Sequence, residues 1–332
     1  MLIEGLSIRP ATLDDAAQIA HIMNVCSLEF SGVPGISSAY LLFIWTRPTY
    51  KLAESVRVLV TAEDEIVGWV GLRHQQHIEV DFNMDVLPAY RGRVEQKLLC
   101  WARSRANEHI TLAPEDMQVV LSTRANAKDS AHRVFLEHEG FQHIRSFWTM
   151  KRTLEGQPEQ PQWAPSFQLR TFKELIEDPS QDDERISHAI FEAHEEAFAD
   201  HWGHVPSTFE AWRERALNSR QDLGCFYLAM DGEQVAAYAR CAEERGDGWV
   251  YTLGVRRAWR RKGLGLALLY HAFGEFYREG IRDIYLGVDA QSLTGATHLY
   301  KRAGMHVACE YTIYEQILRP GRDIRTQMLE QA

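Results

Sequence analysis

The chain has 332 residues, enough for two domains of ordinary size that each bury a core. With 45% hydrophobic and 25% charged residues it has the composition of a globular protein, and no apolar run approaches the roughly 18 residues of a membrane span. A formal net charge of −10 argues against non-specific nucleic-acid binding and favours approach of a cationic substrate such as an amine.

In chain order, the opening residues lack the basic block and apolar core of a signal peptide and read as a first strand. A helix capped near Thr12 follows, acidic in its first turn. Residues 38–51 are aromatic-rich and partly helical in expectation, with Pro48 as the interruption. Residues 56–61 and 66–72 predict a hairpin, 77–86 a strand, 95–106 a helix, 117–123 a strand, 131–139 a helix and 141–152 a strand. A polar, proline-rich stretch over 154–165 reads as a linker. Beyond it come a strand at 167, a helix over 182–198 and a second helix capped by Ser207 or Thr208, with Glu210 placed for a capping box. A hairpin turns on Asp231 and Gly232. Five cysteines (Cys26, Cys100, Cys225, Cys241, Cys309) are scattered without metal-ligand spacing, so free thiols in a reducing cytoplasm, and no metal, are expected.

The most informative stretch runs over 249–276. Trp249 to Gly254 is aromatic and β-branched, a strand; Leu269, Ala272, Phe273 and Phe276 fall on one helical face. Between them lie Arg256, Arg257, Arg260, Arg261, Lys262, Gly263, Leu264 and Gly265, a basic glycine turn leading into a helix. Such a turn presents free backbone N–H groups and positive charge to a phosphate. It is not a Walker A loop, because no Gly-Lys-Ser/Thr is present, nor a dinucleotide fingerprint, because Leu268 replaces the third glycine.

Arg260-Arg261-Lys262-Gly263-Leu264-Gly265 resembles the acyl-CoA loop Arg/Gln-x-x-Gly-x-Gly/Ala of the GNAT superfamily of N-acetyltransferases. Downstream, residues 295–305, with Leu299-Tyr300 and Gly304-Met305, resemble that family's helix ending Leu-Tyr-x-x-x-Gly-Phe, in the same order and spacing. An internal repeat extends the resemblance over nearly all of the chain: residues 86–91 align with 255–260, and 136–141 with 300–305. The expectation is therefore an α/β (α+β) protein of two tandem GNAT domains, 1–153 and 167–332 about a 154–166 linker, each a mixed, mostly antiparallel sheet flanked by helices. In the first copy Val94 and Gln96 replace Gly263 and Gly265, and Leu136 replaces Tyr300. That copy reads as degenerate, since a valine does not readily take a glycine conformation and leucine has no proton to give.

The resemblance implies acetyl transfer from acetyl-CoA to the primary amine of a small molecule, without a metal. Leu253, Gly254 and Val255 would pair with the pantetheine arm, and Arg260 to Gly265 together with Ser292 would hold the rest of the carrier. Tyr300 would protonate the departing thiolate. The strand before the loop lacks the glutamate that members often carry there, so the base stays open among Glu243, Glu244 and Asp247 just before it and the pair His201 and His204. The stretch from Asp200 to His204, with Trp202, is expected to face the acceptor; two histidines at i, i+3 do not by themselves make a zinc site. A monomer or homodimer without nucleic-acid or membrane partners is expected. A rival reading is an acyl-CoA-binding sensor that has lost turnover.

Overall fold

A computed structural model describes residues 5–33, 35–47, 50–178, 182–217 and 223–325. Pro48 lies outside the described residues. In chain order the first half runs β1 (Ser7–Pro10), α1 (Ala16–Ser31), α2 (Ser38–Trp45), α3 (Leu52–Ser55), β2 (Val56–Val60), β3 (Ile66–Gln75), β4 (Glu79–Val86), α4 (Glu95–Ile110), β5 (Val119–Asn126), α5 (Ser130–His138) and β6 (Gln142–Thr153). The second half runs β7 (Phe167–Thr171), α6 (Phe172–Ile176), α7 (Asp183–Phe198), α8 (Phe209–Leu217), β8 (Phe226–Asp231), β9 (Gln234–Glu244), β10 (Asp247–Val255), α9 (Leu264–Arg278), β11 (Asp283–Asp289), α10 (Ala296–Arg302) and β12 (His306–Arg319). The same order of elements occurs twice.

Contacts divide the chain into two compact units, Met1–Ser146 with Cys309–Ile324, and Phe147–Ala308 with Arg325–Ala332. These units are not the two sequence halves, because the last strand of each half belongs to the other unit. In the first unit β1, β2, β3 and β4 are antiparallel neighbours, β4 pairs β5 in parallel, and Tyr311 to Arg319 of β12 closes the sheet antiparallel to β5. In the second, β7, β8, β9 and β10 are antiparallel neighbours and β10 pairs β11 in parallel. Phe147 to Thr153 of β6 runs antiparallel to β11. Nor is 154–165 a free tether: Leu154 is buried and Trp163 packs on the core of the second unit, while Glu159 pairs with Arg152 at 2.6 Å.

Both faces of the second sheet are covered, which explains the nearly unbroken apolar run of β9. Ala237 and Ala239 face the core containing Leu268, Phe273 and Phe276 of α9, whereas Val235 and Tyr238 belong to the core containing Ile186 and Ile190 of α7 and Trp212 of α8. Asp182 caps α7 by accepting from the N–H groups of Glu184 and Arg185 at 2.9 and 3.3 Å, and Thr208 caps α8 by accepting from Ala211 at 3.2 Å. Among the described residues no helix is long and apolar enough to cross a membrane.

Candidate active site

Along β10 the sheet opens. Its parallel ladder with β11 covers only Gly248, Val250 and Trp249 between them, against Ile284 to Leu286. On the other side, pairing with β9 slips between Val250 and Thr252, so Tyr251 is the extra residue of a bulge. Leu253, Gly254 and Val255 stay paired to Ala239, Tyr238 and Ala237, and their other edge has left the β11 ladder. An edge of this kind offers main-chain donors and acceptors to an extended amide-bearing ligand. Gly254 has its own reason to be glycine: a Cβ there would lie 2.7 Å from the Tyr238 ring and 3.1 Å from Ala197 of α7.

The strand runs into a short 3-10 turn at Arg257–Trp259 and then reverses through two left-handed residues, Arg261 (φ 63°) and Gly263 (φ 83°). Gly263 is the N-cap of α9 and brings no capping side chain, so the first N–H groups of that helix have no intrahelical or side-chain acceptor among the described residues. A Cβ on Gly263 would meet nothing within 4 Å; the glycine is required by its backbone angle, and the space before it is open. Gly265 is required by packing instead, since a Cβ there would lie 3.1 Å from Leu299 of α10.

The five basic residues of this turn divide in two. Arg256 bonds Glu196 at 2.6 Å, whose other oxygen accepts from the Arg257 N–H at 2.9 Å. Arg257 and Arg260 both grip Asp200, with shortest contacts of 2.6 and 2.5 Å. Arg260 also donates to the carbonyls of Val255 and Ala197 at 3.2 and 3.4 Å. Held chiefly by the Arg257 hydrogen bond against the cost of burial, the Asp200 carboxyl sits at about 2. Arg261 and Lys262 are exposed, with no acidic partner among the described residues. The first three cations thus fix the loop to the end of α7, and the last two face solvent.

Tyr300 lies on α10, 8% exposed within the same core as α9. Burial pushes its hydroxyl up to about 12, and no described residue accepts a hydrogen bond from it. Ser292 accepts from the Ala296 N–H at 3.2 Å and so caps the start of α10. His201 follows Asp200 directly and His204 comes three residues later, in the segment that Asp200 ties to the loop. Burial, then the charge of His204, holds His201 below the ordinary histidine range. His204 Nε2 is 3.4 Å from Glu195 Oε2, and Trp202 packs against Phe147 with ring centroids 6.4 Å apart. Glu243 accepts from the Gly246 N–H of the β9–β10 turn at 2.5 Å, and Glu244 accepts from the Tyr251 hydroxyl. Asp247 pairs with Glu244 in the ladder, so that end of β10 is roughly 26 Å of strand from Val255.

Sequence reasoning missed Glu195, whose Oε2 also takes the Ser207 N–H at 3.2 Å while its buried Oε1 has no hydrogen-bond partner among the described residues. It also missed what occupies the loop of the first copy. Val94, the N-cap of α4, takes φ −130° and is buried, and the Glu95 carboxylate accepts from the N–H groups of Gly92 and Val94 at 2.7 and 3.1 Å. Two N–H groups just before that helix are therefore taken up by the chain's own carboxylate. The repeat is otherwise faithful: Arg91 Nε donates to Val86 O at 3.2 Å, as Arg260 Nε does to Val255 O, and Arg91 pairs with Glu29 at 2.7 Å.

The pattern of the acetyltransferase (GNAT) family matches residues 187–305, which hold β10, the loop, α9 and Tyr300. Among solved structures, a GCN5-related N-acetyltransferase from Sphaerobacter thermophilus is 31% identical, with TM-score 0.83 over 98% of this chain and 100% of that one. A tandem GNAT protein from the clavulanic acid biosynthesis pathway shares the fold at 14% identity, with TM-score 0.70 over 96% of this chain and 100% of its own. Among curated proteins, a mycothiol acetyltransferase of Streptomyces avermitilis is 29% identical over 256 residues, 76% of this chain and 77% of that one. One from Actinosynnema mirum is 28% identical over 167 residues, 50% of this chain and about half (53%) of the relative. The chain belongs to the GCN5-related N-acetyltransferase family, and within it to the tandem type. Members of this family use acetyl-CoA.

Proposed function

We propose that the chain moves the acetyl group of acetyl-CoA to the primary amine of a small molecule, with chemistry confined to the second unit. The observation that carries this reading is the open edge of β10 at Leu253, Gly254 and Val255 running straight into the uncapped start of α9 at Gly263. The edge suits the two amides of a pantetheine arm; the helix start, with Arg261 and Lys262, suits the diphosphate behind it. Leu264 and Gly265 belong to the same first turn, whereas Arg260 and Ser292 shape the site through the backbone they hold.

The amine must lose a proton before attacking the thioester carbonyl; as its N–C bond forms, the C–S bond breaks and the sulfur takes up negative charge. Tyr300, protonated and with no other acceptor among the described residues, donates to that sulfur. Complete transfer from a hydroxyl near 12 to a thiolate near 8.5 is uphill, so hydrogen bonding to the developing charge is its main contribution. For the base we favour His204, oriented by Glu195, because Glu243 and Glu244 are engaged at the far end of the strand. The same engagement favours a second reading, an acyl-CoA-binding sensor without turnover. Release of free thiol from acetyl-CoA, across an amine panel that includes the acceptor of the mycothiol acetyltransferases, decides between them. Thiol release that falls in Tyr300→Phe and His204→Gln supports the enzyme; tight binding of CoA with no transfer to any amine supports the sensor.

A further inference from the structure

The first unit gathers three imidazoles that the sequence spacing does not announce. His74 is near the end of β3, His77 is in the turn between β3 and β4, and His109 is in the last turn of α4, 32 residues further on. One ring nitrogen of each lies within 4.8 Å of the other two. Nδ1 of His77 and Nδ1 of His109 are 2.7 Å apart, and the ring centroids are separated by 4.0, 4.5 and 4.9 Å. A tetrahedral ion with nitrogen ligands at about 2.0–2.1 Å would hold those nitrogens roughly 3.3 Å apart, inside the observed spread.

We propose that His74, His77 and His109 form a binding site for a divalent transition-metal ion of the zinc(II) class, with a fourth position open to solvent beside the exposed His74. The donor set decides the class: three imidazoles suit zinc, copper or nickel and offer nothing to magnesium or calcium, which take oxygen. Each ring must offer a lone pair, and burial favours the neutral form of all three, lowering His74 to about 4. The end of α4 contributes the negative pole of its backbone dipoles. Arg105, a cation that acts on His74 and His109, is itself paired with Glu54 at 3.1 Å and with Glu108.

The turn that carries His77 points the same way. Gln76 and His77 both take left-handed angles, φ 49° and 62°, which residues with a side chain seldom adopt. A turn strained in this manner persists where something holds it, and ligand bonds to His77 would do so. In the metal-free protein the 2.7 Å contact needs a proton between two imidazoles. On metal binding at those nitrogens, that proton moves to the Nε2 of the ring that carried it, and the ion takes its place.

The test uses the full chain without a histidine tag, stripped with a chelator and then dialysed against zinc(II), with cobalt(II) as a spectroscopic probe. One equivalent of zinc is expected, with the intense visible absorption of tetrahedral cobalt and a melting temperature that rises with zinc concentration. His74→Gln changes an exposed residue and leaves the metal-free melt in place. Its affinity should fall by more than the roughly 10–100-fold that losing an outer-shell partner costs. Absence of stoichiometric binding, or binding unchanged in the His74→Gln, His77→Gln double variant, overturns the proposal. Neither result bears on acetyl transfer, which is assayed separately.

Discussion

Tyr300 and Asp200 show how far one side chain's surroundings decide its use. Burial holds the Tyr300 hydroxyl protonated to about 12, so it remains a donor throughout the range in which an amine is nucleophilic. Tyr300→Phe should lower kcat by about a hundredfold or more while leaving the KM for acetyl-CoA nearly unchanged. Because the raised hydroxyl loses its proton only near 12, it contributes no loss of rate between neutral pH and about 10. An alkaline limb within that range which disappears in Tyr300→Phe would contradict the assignment. Asp200 is the opposite case, an acid lowered from 3.8 to about 2 by two arginines. Its contribution to stability is fully present above about 4 and lost as pH falls through about 2. At neutral pH Asp200→Asn should therefore cost about 2 kcal/mol in urea unfolding, and the gap to the unsubstituted protein should close in acid. A gap that stays constant down to that acid range would mean the shift is not what stabilises.

At the scale of elements, the loop and its helix were legible because their signal is local. Period and glycine placement put a helix after residue 263, and eight of its residues, Phe273 and Phe276 among them, are buried. What was not legible is why each residue stands in the loop. Counting Arg260 with the phosphate-facing charges overlooked Asp200, 60 positions away in sequence, and no local pattern reveals such a partner. The two glycines also looked equivalent in sequence and are not. Gly263→Val should abolish CoA binding: the left-handed angle costs a valine about 1–2 kcal/mol, and its side chain enters the open space before the helix. The buried face of α9 should keep the fold nearly intact. Gly265→Ala, pressing on the flexible tip of Leu299, should cost about 1 kcal/mol of stability and leave CoA affinity almost unchanged. Calorimetric titration with CoA, beside a thermal melt of each variant, separates the two effects; equal loss of binding in both would mean that Gly265 also faces the ligand.

At the scale of the whole molecule, the repeat was written plainly in residues 86–91 and 255–260, and the defect of the first copy in Val94, but the assignment of strands to units was not. An alternating or apolar run predicts a strand and says nothing about its neighbour, because any edge with matching register can accept it. The proline-rich stretch after Thr153 looked like a boundary, yet β6 just before it completes the sheet of the second unit, and β12 at the far end of the sequence completes that of the first. Met150 of β6 is fully buried in the second core, and Tyr314 of β12, equally buried, donates to Glu137 of α5 at 2.8 Å in the first. A chain cut between 153 and 167 should for this reason not yield two domains. Residues 1–153 alone would leave β5 without its outer neighbour and carry β6 with nothing to pair, and residues 167–332 alone would leave β11 open and β12 loose, each a template for aggregation. Expressed separately, both pieces should be insoluble or lack a cooperative melt; expressed together, they should co-purify and regain one. Two independently soluble halves, each melting cooperatively, would show that the strands are not exchanged.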